Sequence, residues 1–387
     1  MLIILSYPGG RQRTITCLPL VIIHDFPDLR NPSRYFIITK WTLGSKFGLK
    51  KMKGHVKMSE ETKEPLGDCG CESRRVLQSE YDRNMEVDLL VKRILKDYEG
   101  GRDIDKTDFY DRPGREAVQN ITDNLIRIVF PGFYRDKTFK SYNAYGNLTV
   151  LIEDVIYNLS KQITKVMKYI SDGKELDEKT LSSQAHCMAV TFCNRIPQVR
   201  AVPNTDLDAT YAGDPAAYNK DEIVLSYPGL LATTVNRLAH ELFLLKIPLI
   251  PRIMTEYAHS RTGIDIHPAA TIGSYFFIDH GTGIVVGSTT EIGNHVKIYQ
   301  GVTLGALSTS EGHALHGIKR HPTIKDNVTI YSGASILGGD TVIGENSVIG
   351  SNVFITHSIP PDTRVTIKNQ EQTYRSKDGS MIFKDNK

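Results

Sequence analysis

Twelve histidines are the groups in this 387-residue sequence best placed to exchange protons near neutral pH, since an unperturbed imidazole titrates near ~6.5. Five of those in the last third, His280, His295, His313, His316 and His321, invite comparison with a catalytic zinc site. Such a site needs three converging protein ligands and an open fourth position, and the spacing shows no converging trio. The five cysteines, Cys17, Cys69, Cys71, Cys187 and Cys193, are odd in number and lack a two-pair metal spacing, so neither a disulfide framework nor a zinc site is indicated. No metal is expected. With 47 basic and 44 acidic residues spread along the chain, the formal charge of +3 gives no electrostatic case for nucleic acid or an anionic membrane.

These side chains must be held by something, and the pattern supplies two kinds of element. Met85, Leu89, Leu90, Ile94 and Leu95 fall on one helical face. A second helix is predicted over 115–130, stopping at Pro131-Gly132. Leu148, Ile152, Val155, Leu159, Ile163, Val166 and Ile170 recur at steps of three and four, which predicts a third helix packed along one stripe. Further helices are expected at 177–194, ending before Pro197, at 228–246, ending before Pro248, and at 251–261.

After Thr262 the helical period vanishes and an aliphatic residue returns every six positions: Ile266, Ile272, Ile278; Ile292, Ile298, Leu304; Ile324, Ile330, Ile336; Ile343, Ile349, Ile355. Three hexads make one triangular coil, each short strand pointing one aliphatic side chain inward, with Gly or Asn easing the corners. The register slips by two after Ile284 and by one after Ile336. An excursion from Ala306 to Pro322 interrupts the coil, and loops extruded from one face of a solenoid tend to build its binding site. The fold class expected is α+β: an N-terminal all-α helical domain followed by a left-handed parallel β-helix. The expected division is 1–75 as extension and linker, 76–262 as the helical domain, 263–365 as the β-helix and 366–387 as a tail. Met52 and Met58 are candidate starts, and the apolar pieces 2–5 and 18–23 are too short to span a bilayer. A cytoplasmic protein is expected.

Architecture alone assigns no activity. The segments GIDIHPAATIG (263–273), IDHGTGIVVG (278–287), GVTLGA (301–306) and KRHPTI (319–324), with GDPAAY (213–218), resemble the serine O-acetyltransferase family over about two fifths of the chain. The long excursion resembles one branch of it. The resemblance implies acetyl transfer from acetyl-CoA, a cosubstrate rather than a resident cofactor, to the L-serine hydroxyl, giving O-acetylserine for cysteine biosynthesis. It implies His280 as general base, oriented by Asp265. On a coil of roughly eighteen residues per turn, these two fall on adjacent rungs near one corner. The resemblance further implies Arg320 for the serine carboxylate, His321 as a member of the serine pocket, Asp214 and Asp279 for the serine amino group, and Gly305, Ala306, Ser332 and Gly333 along acetyl-CoA. Ala306 and Leu307 depart from the commoner family pattern there. Asp214 precedes Pro215 and equally suits a helix start.

The resemblance also implies a trimer or a dimer of trimers, with the pocket reaching the cleft between subunits. The chain ends in IFKDNK rather than in isoleucine, which counts against a complex with O-acetylserine sulfhydrylase. Rival readings are an acetyltransferase acting on a sugar or amine, which has no use for Arg320 with Asp214, and a zinc-dependent lyase resembling carbonic anhydrase.

Overall fold

In the computed structural model the described residues are 4–6, 12–14, 71–105, 112–134, 142–170, 177–308, 310, 312, 317–368, 373–377 and 381–384. The chain divides into two compact units, Met1–Leu95 and Lys96–Lys387. Within the first, β1 (Ile4–Ser6) and β2 (Gln12–Thr14) pair antiparallel. Most of the predicted extension and linker lies outside the described residues, as do Cys17, Cys69, His313 and His316. Helix α1 (Cys71–Tyr98) begins well before residue 84, within the stretch read as linker. Its expected apolar face, from Met85 to Leu95, is exposed.

In the second unit, α2 (Arg115–Val129) ends where Pro131-Gly132 predicts. Helix α3 (Ala144–Ile170) buries Val155, Leu159, Ile163 and Val166, while Leu148 and Ile170 at its ends are exposed. The fourth helix corrects the sequence reading. Helix α4 (Glu178–Gly213) runs through both Pro197 and Pro203. An interior proline costs about 3 kcal/mol, but Phe192, Ile196, Val199 and Pro203 are all buried on this helix, so packing on both sides of the break holds its axis. The short α5 (Lys220–Ser226), capped by Asn219, was not predicted. Helices α6 (Pro228–Leu244) and α7 (Ile250–Thr262) follow the expectation closely, and α7 ends on Gly263 in the left-handed region.

The next fourteen strands pair parallel into three faces, and as far as the thirteenth each successive strand lies on the next face. They are β3 (Asp265–Ile266), β4 (Thr271–Ile272), β5 (Phe277–Asp279), β6 (Val285–Val286), β7 (Glu291–Ile292), β8 (Lys297–Tyr299), β9 (Thr303–Gly305), β10 (Thr323–Ile324), β11 (Thr329–Ile330), β12 (Ser335–Leu337), β13 (Val342–Ile343), β14 (Val348–Ile349), β15 (Phe354–Ile355) and β16 (Arg364–Val365). The first face is β3-β6-β9-β12-β15, the second β4-β7-β10-β13 and the third β5-β8-β11-β14-β16. The fourteenth, β16, closes the third face beside β14, also in parallel. Thus all fourteen belong to one parallel β-helix, and the hexad period is its cause. Ile278, Ile298, Ile330 and Ile349 stand in register on the third face and are buried. The two extra residues fall before Val286, which takes the inward place on β6, and not after Ile284. They lengthen the corner at 280–284.

Helix α6 closes the open end of the coil. Its Ala232 belongs to the coil core, and a Cβ at Gly229 would lie 2.7 Å from the Ile278 carbonyl oxygen, so only glycine lets α6 approach β5 this closely. Past the coil, β17 (Thr373–Arg375) and β18 (Met381–Lys384) pair as a hairpin in the stretch read as a tail.

Truncating one aliphatic of the stack, as in Ile330→Ala, should cost about 2–5 kcal/mol. A denaturant midpoint that stays at the wild-type value would show that the stack does not carry the coil.

Candidate active site

The corner between the third and first faces gathers one set of polar groups. Asp279 ends β5, His280 follows it with φ 64°, and Asp265 opens β3. Hydrogen bonds from Gly283 N to Gly263 O (2.8 Å) and from Asp265 N to Ile284 O (2.9 Å) lay the His280 corner directly against the Asp265 strand. His280 is exposed and Asp265 half-buried. The Asp265 carboxylate accepts from Arg252 Nη1 of α7 at 3.3 Å; Arg252 also pairs with Glu256, and Glu256 with His259 at 3.1 Å.

The helical part contributes Asp214 to the same region. Its backbone caps the C-terminus of α4, its Oδ1 accepts from Ala216 N at 2.8 Å and its Oδ2 from Tyr227 Oη at 2.7 Å. The Tyr227 hydrogen bond holds the Asp214 carboxyl below its usual range, and the same bond pushes the Tyr227 phenol up to about 12. Asp214 and Asp279 meet around Lys297, whose Nζ donates to Gly213 O at 2.9 Å and lies 3.5 Å from Asp279 Oδ2. That ammonium also stands over the rings of Phe277 and Tyr299, at 4.5 and 4.9 Å from their centroids. Lys297 was not singled out from sequence. The hexad register itself could have found it, because Lys297 is the partner of Phe277 one coil earlier.

The other predicted residues stand at the corner between the first and second faces. Arg320 Nη2 donates to Ser288 Oγ at 2.8 Å. His321, 7% exposed, is anchored through Nδ1 to Thr289 Oγ1 at 2.8 Å. Burial pushes its imidazole down to about 4, with Arg320 adding to the effect. His267, following β3 at the same edge, is also pushed to about 4 by burial and then by Arg252. The first face, with β6 at 285–286, lies between the His280 corner and the Arg320 edge, so His280 and His321 stand at opposite edges within one chain. The positions expected along acetyl-CoA divide likewise: Gly305 ends β9 and Ala306 follows it at the Arg320 edge, while Ser332 and Gly333 precede β12 at the His280 edge.

Among the described residues one trio of potential metal ligands converges, Glu256, His259 and Asp265, with ligand atoms within 4.8 Å of one another. Arg252 pairs with both of its carboxylates, which opposes a cation there. His280, His295 and His321 stand at three different corners of the triangle and cannot share an ion within one chain.

No family model matches the chain. The plasmid serine acetyltransferase of Synechococcus elongatus is 41% identical over 226 residues, covering 57% of this chain and 71% of that protein. The chain belongs to the serine acetyltransferase family. The serine acetyltransferase of Bacillus subtilis is 48% identical over 122 residues, 32% of this chain and 54% of that protein, so against this relative the match spans about half the length. Among solved structures, serine acetyltransferase 1 of Entamoeba histolytica in complex with L-cysteine superposes with a TM-score of 0.55 at 34% identity, over 66% of this chain and 87% of that one. Its helices followed by a parallel β-helix are thus shared with serine acetyltransferases.

The two depressed imidazoles set a pH dependence of stability. Between ~6.5, where an unfolded histidine titrates, and about 4, the unfolded chain binds protons that the folded chain does not. Stability is therefore full above this window and falls as pH drops through it. Melting temperatures measured from pH 7.5 downward should decline less steeply for His321→Gln than for wild type; parallel curves would contradict the assignment.

Proposed function

We propose that the chain is a serine O-acetyltransferase whose two polar edges form complementary halves of one site. The observation that carries this reading is the separation of charge across the first face. Three carboxylates, Asp214, Asp265 and Asp279, gather near His280 at one edge, and the donors of Arg320 and His321 gather at the other. A zwitterionic amino acid needs both, carboxylates for its ammonium and a guanidinium fork for its carboxylate. A sugar needs neither.

In this reading His280 accepts the serine hydroxyl proton as the oxygen attacks the thioester carbonyl of acetyl-CoA. The tetrahedral intermediate collapses with loss of the CoA thiolate, and the imidazolium returns the proton to sulfur. Such base assistance contributes about 10²–10⁴-fold. Asp265 orients the imidazole, for which it turns from Arg252 to its neighbour across the corner. Asp214 and Asp279 receive the ammonium. Gly305, Ala306, Ser332 and Gly333 border acetyl-CoA as it lies along the first face, where Gly333, at φ 71° with a virtual Cβ 2.3 Å from Asn352 Oδ1, keeps the corner flat. Because the two halves do not meet in one chain, a second copy must bring its Arg320 edge to the His280 edge of the first. A closed ring of three copies satisfies every edge in this way. No helix among the described residues is long and apolar enough to cross a membrane, and neither membrane nor nucleic acid enters the reading.

Acetyl-CoA-dependent thiol release should be selective for L-serine over L-threonine, homoserine, glucosamine and galactosides, and should be lost in His280→Ala. Release with a sugar would sink the serine assignment, and an active variant would remove His280 from the base role. The His280→Asn variant adds a check on folding. Asn tolerates the left-handed backbone that costs most other residues on the order of 1 kcal/mol, so activity should vanish with the melting temperature unchanged or raised.

A further inference from the structure

The edge that carries Arg320 and His321 holds another histidine, to which the reading above gives no role. His267 N donates to Val286 O at 3.0 Å, which sets it one coil before Gly287. The His321 ring covers Gly287 so closely that a Cβ there would lie 2.0 Å from His321 Cδ2 and 2.2 Å from Nε2. Arg320 is tied to the next residue, Ser288, at 2.8 Å. His267 on the first coil and Arg320 with His321 on the third therefore flank Gly287 and Ser288 of the coil between them, along one edge.

Hydrogen bonding fixes the tautomer of both rings. The Thr289 hydroxyl oxygen accepts from Arg320 N at 3.0 Å and from His321 N at 3.1 Å. With its lone pairs engaged, it donates its own proton to His321 Nδ1 at 2.8 Å, and the Thr289 amide points to the same nitrogen at 3.1 Å. His321 Nδ1 is an acceptor, so the ring proton resides on Nε2. In His267 the Ala269 amide donates to Nδ1 at 3.0 Å, with the same consequence. The hydrogen bonds that the two rings make among the described residues all run through Nδ1, and Nε2 of each has no partner there. Burial keeps both rings neutral near pH 7. The carboxylates that act on His267 are Asp265 and Glu256, and both are already paired with Arg252.

We propose that His267 is a third donor of the carboxylate subsite, its Nε2–H joining the Arg320 guanidinium and the His321 Nε2–H around the carboxylate of the acceptor amino acid. A carboxylate offers about four lone-pair sites, more than one fork and one imidazole fill. The assignment rests on the proposed function and names a residue beyond those it uses. Because the donor is neutral and fixed by the Ala269 amide, it selects for acceptor geometry without adding charge.

The test compares three substitutions in the full chain, with KM for L-serine, KM for acetyl-CoA and kcat measured by thiol release. His267→Ala should raise the serine KM about tenfold or more, the loss of one hydrogen bond to a charged group, and leave the acetyl-CoA KM and kcat near wild type. His267→Gln, whose amide N–H falls near the place of Nε2–H, should restore the serine KM. His267→Asn, whose amide falls near Nδ1, should not. A wild-type serine KM in the Ala variant overturns the assignment, and so does rescue by Asn but not Gln, or an equal rise for both substrates. A wild-type protein that releases no CoA with serine overturns the proposed function and this subsite together; an active wild type beside an unmoved Ala variant overturns the subsite alone.

Discussion

The buried pair of Asp206 and Arg237 is the contact on which the relation between helices and coil depends. Asp206 is 1% exposed. Arg237 Nε and Nη2 bind its two carboxylate oxygens at 2.8 and 2.9 Å, while Nη1 and Nη2 reach the carbonyls of Ile272 and Gly273 at 3.0 and 2.8 Å. Phe276 N donates back to Asp206 Oδ1 at 2.9 Å. One guanidinium thus joins α4, α6 and the first corner between the second and third faces. Removing one partner of such a pair leaves the other charged and buried, at a cost of about 3–5 kcal/mol. Asp214 lies two helical turns along α4 from Asp206, and Asp279 three residues along the chain from Phe276. Both acidic groups inherit their positions from this pair.

Polar chemistry in this protein stands at corners because the faces have no room for it. Each strand turns one aliphatic side chain into the stack and spends its amides on the neighbouring coil, whereas a corner residue is free of the ladder and points outward. His280, Arg320 and His321 occupy such places, and His267 stands where β3 runs into its corner, its amide still bonded to Val286 O. The excursion returns to the coil at the corner that already carries His267, so the loop adds donors to an edge with donors of its own. Acidic groups collect at the opposite edge, where the helical part abuts the third face.

Much of this was legible in the sequence, and the parts that were not have physical reasons. A period of six survives any reading because each inward aliphatic repeats an identical environment, and Ile292, Ile298, Ile324 and Ile330 stand where the count put them. Local rules failed where tertiary packing overrode them. Pro197 ends an isolated helix but not one packed on both sides of it. Counting by six places the two extra residues after Ile284, because the count cannot distinguish Ile284 from Val286 as the inward residue; both are buried. Of the site, His280, Asp265, Arg320 and His321 came from motif resemblance, which gives identities and no contacts. The hold of Arg252 on Asp265, of Lys297 on Gly213 and of Thr289 on His321 connects residues distant in sequence or separated by the excursion, and no local pattern announces them.

The stacked coils also impose a graduated scale on anything that lies along them. Strands of adjacent coils are spaced by about 4.8 Å, and at the His280 edge Gly301 N bonds Thr282 O and Gly333 N bonds Gln300 O, each coil copying the one before. Two such steps separate the His280 corner from Ser332 and Gly333, roughly 10 Å. For a molecule lying along the first face as proposed above, the reach between its reacting end and its distal contacts is set in whole increments. Inserting or deleting a coil would change that reach by one full graduation, while substitutions within a coil leave it untouched, so in that reading ligand length becomes a discrete property of the fold.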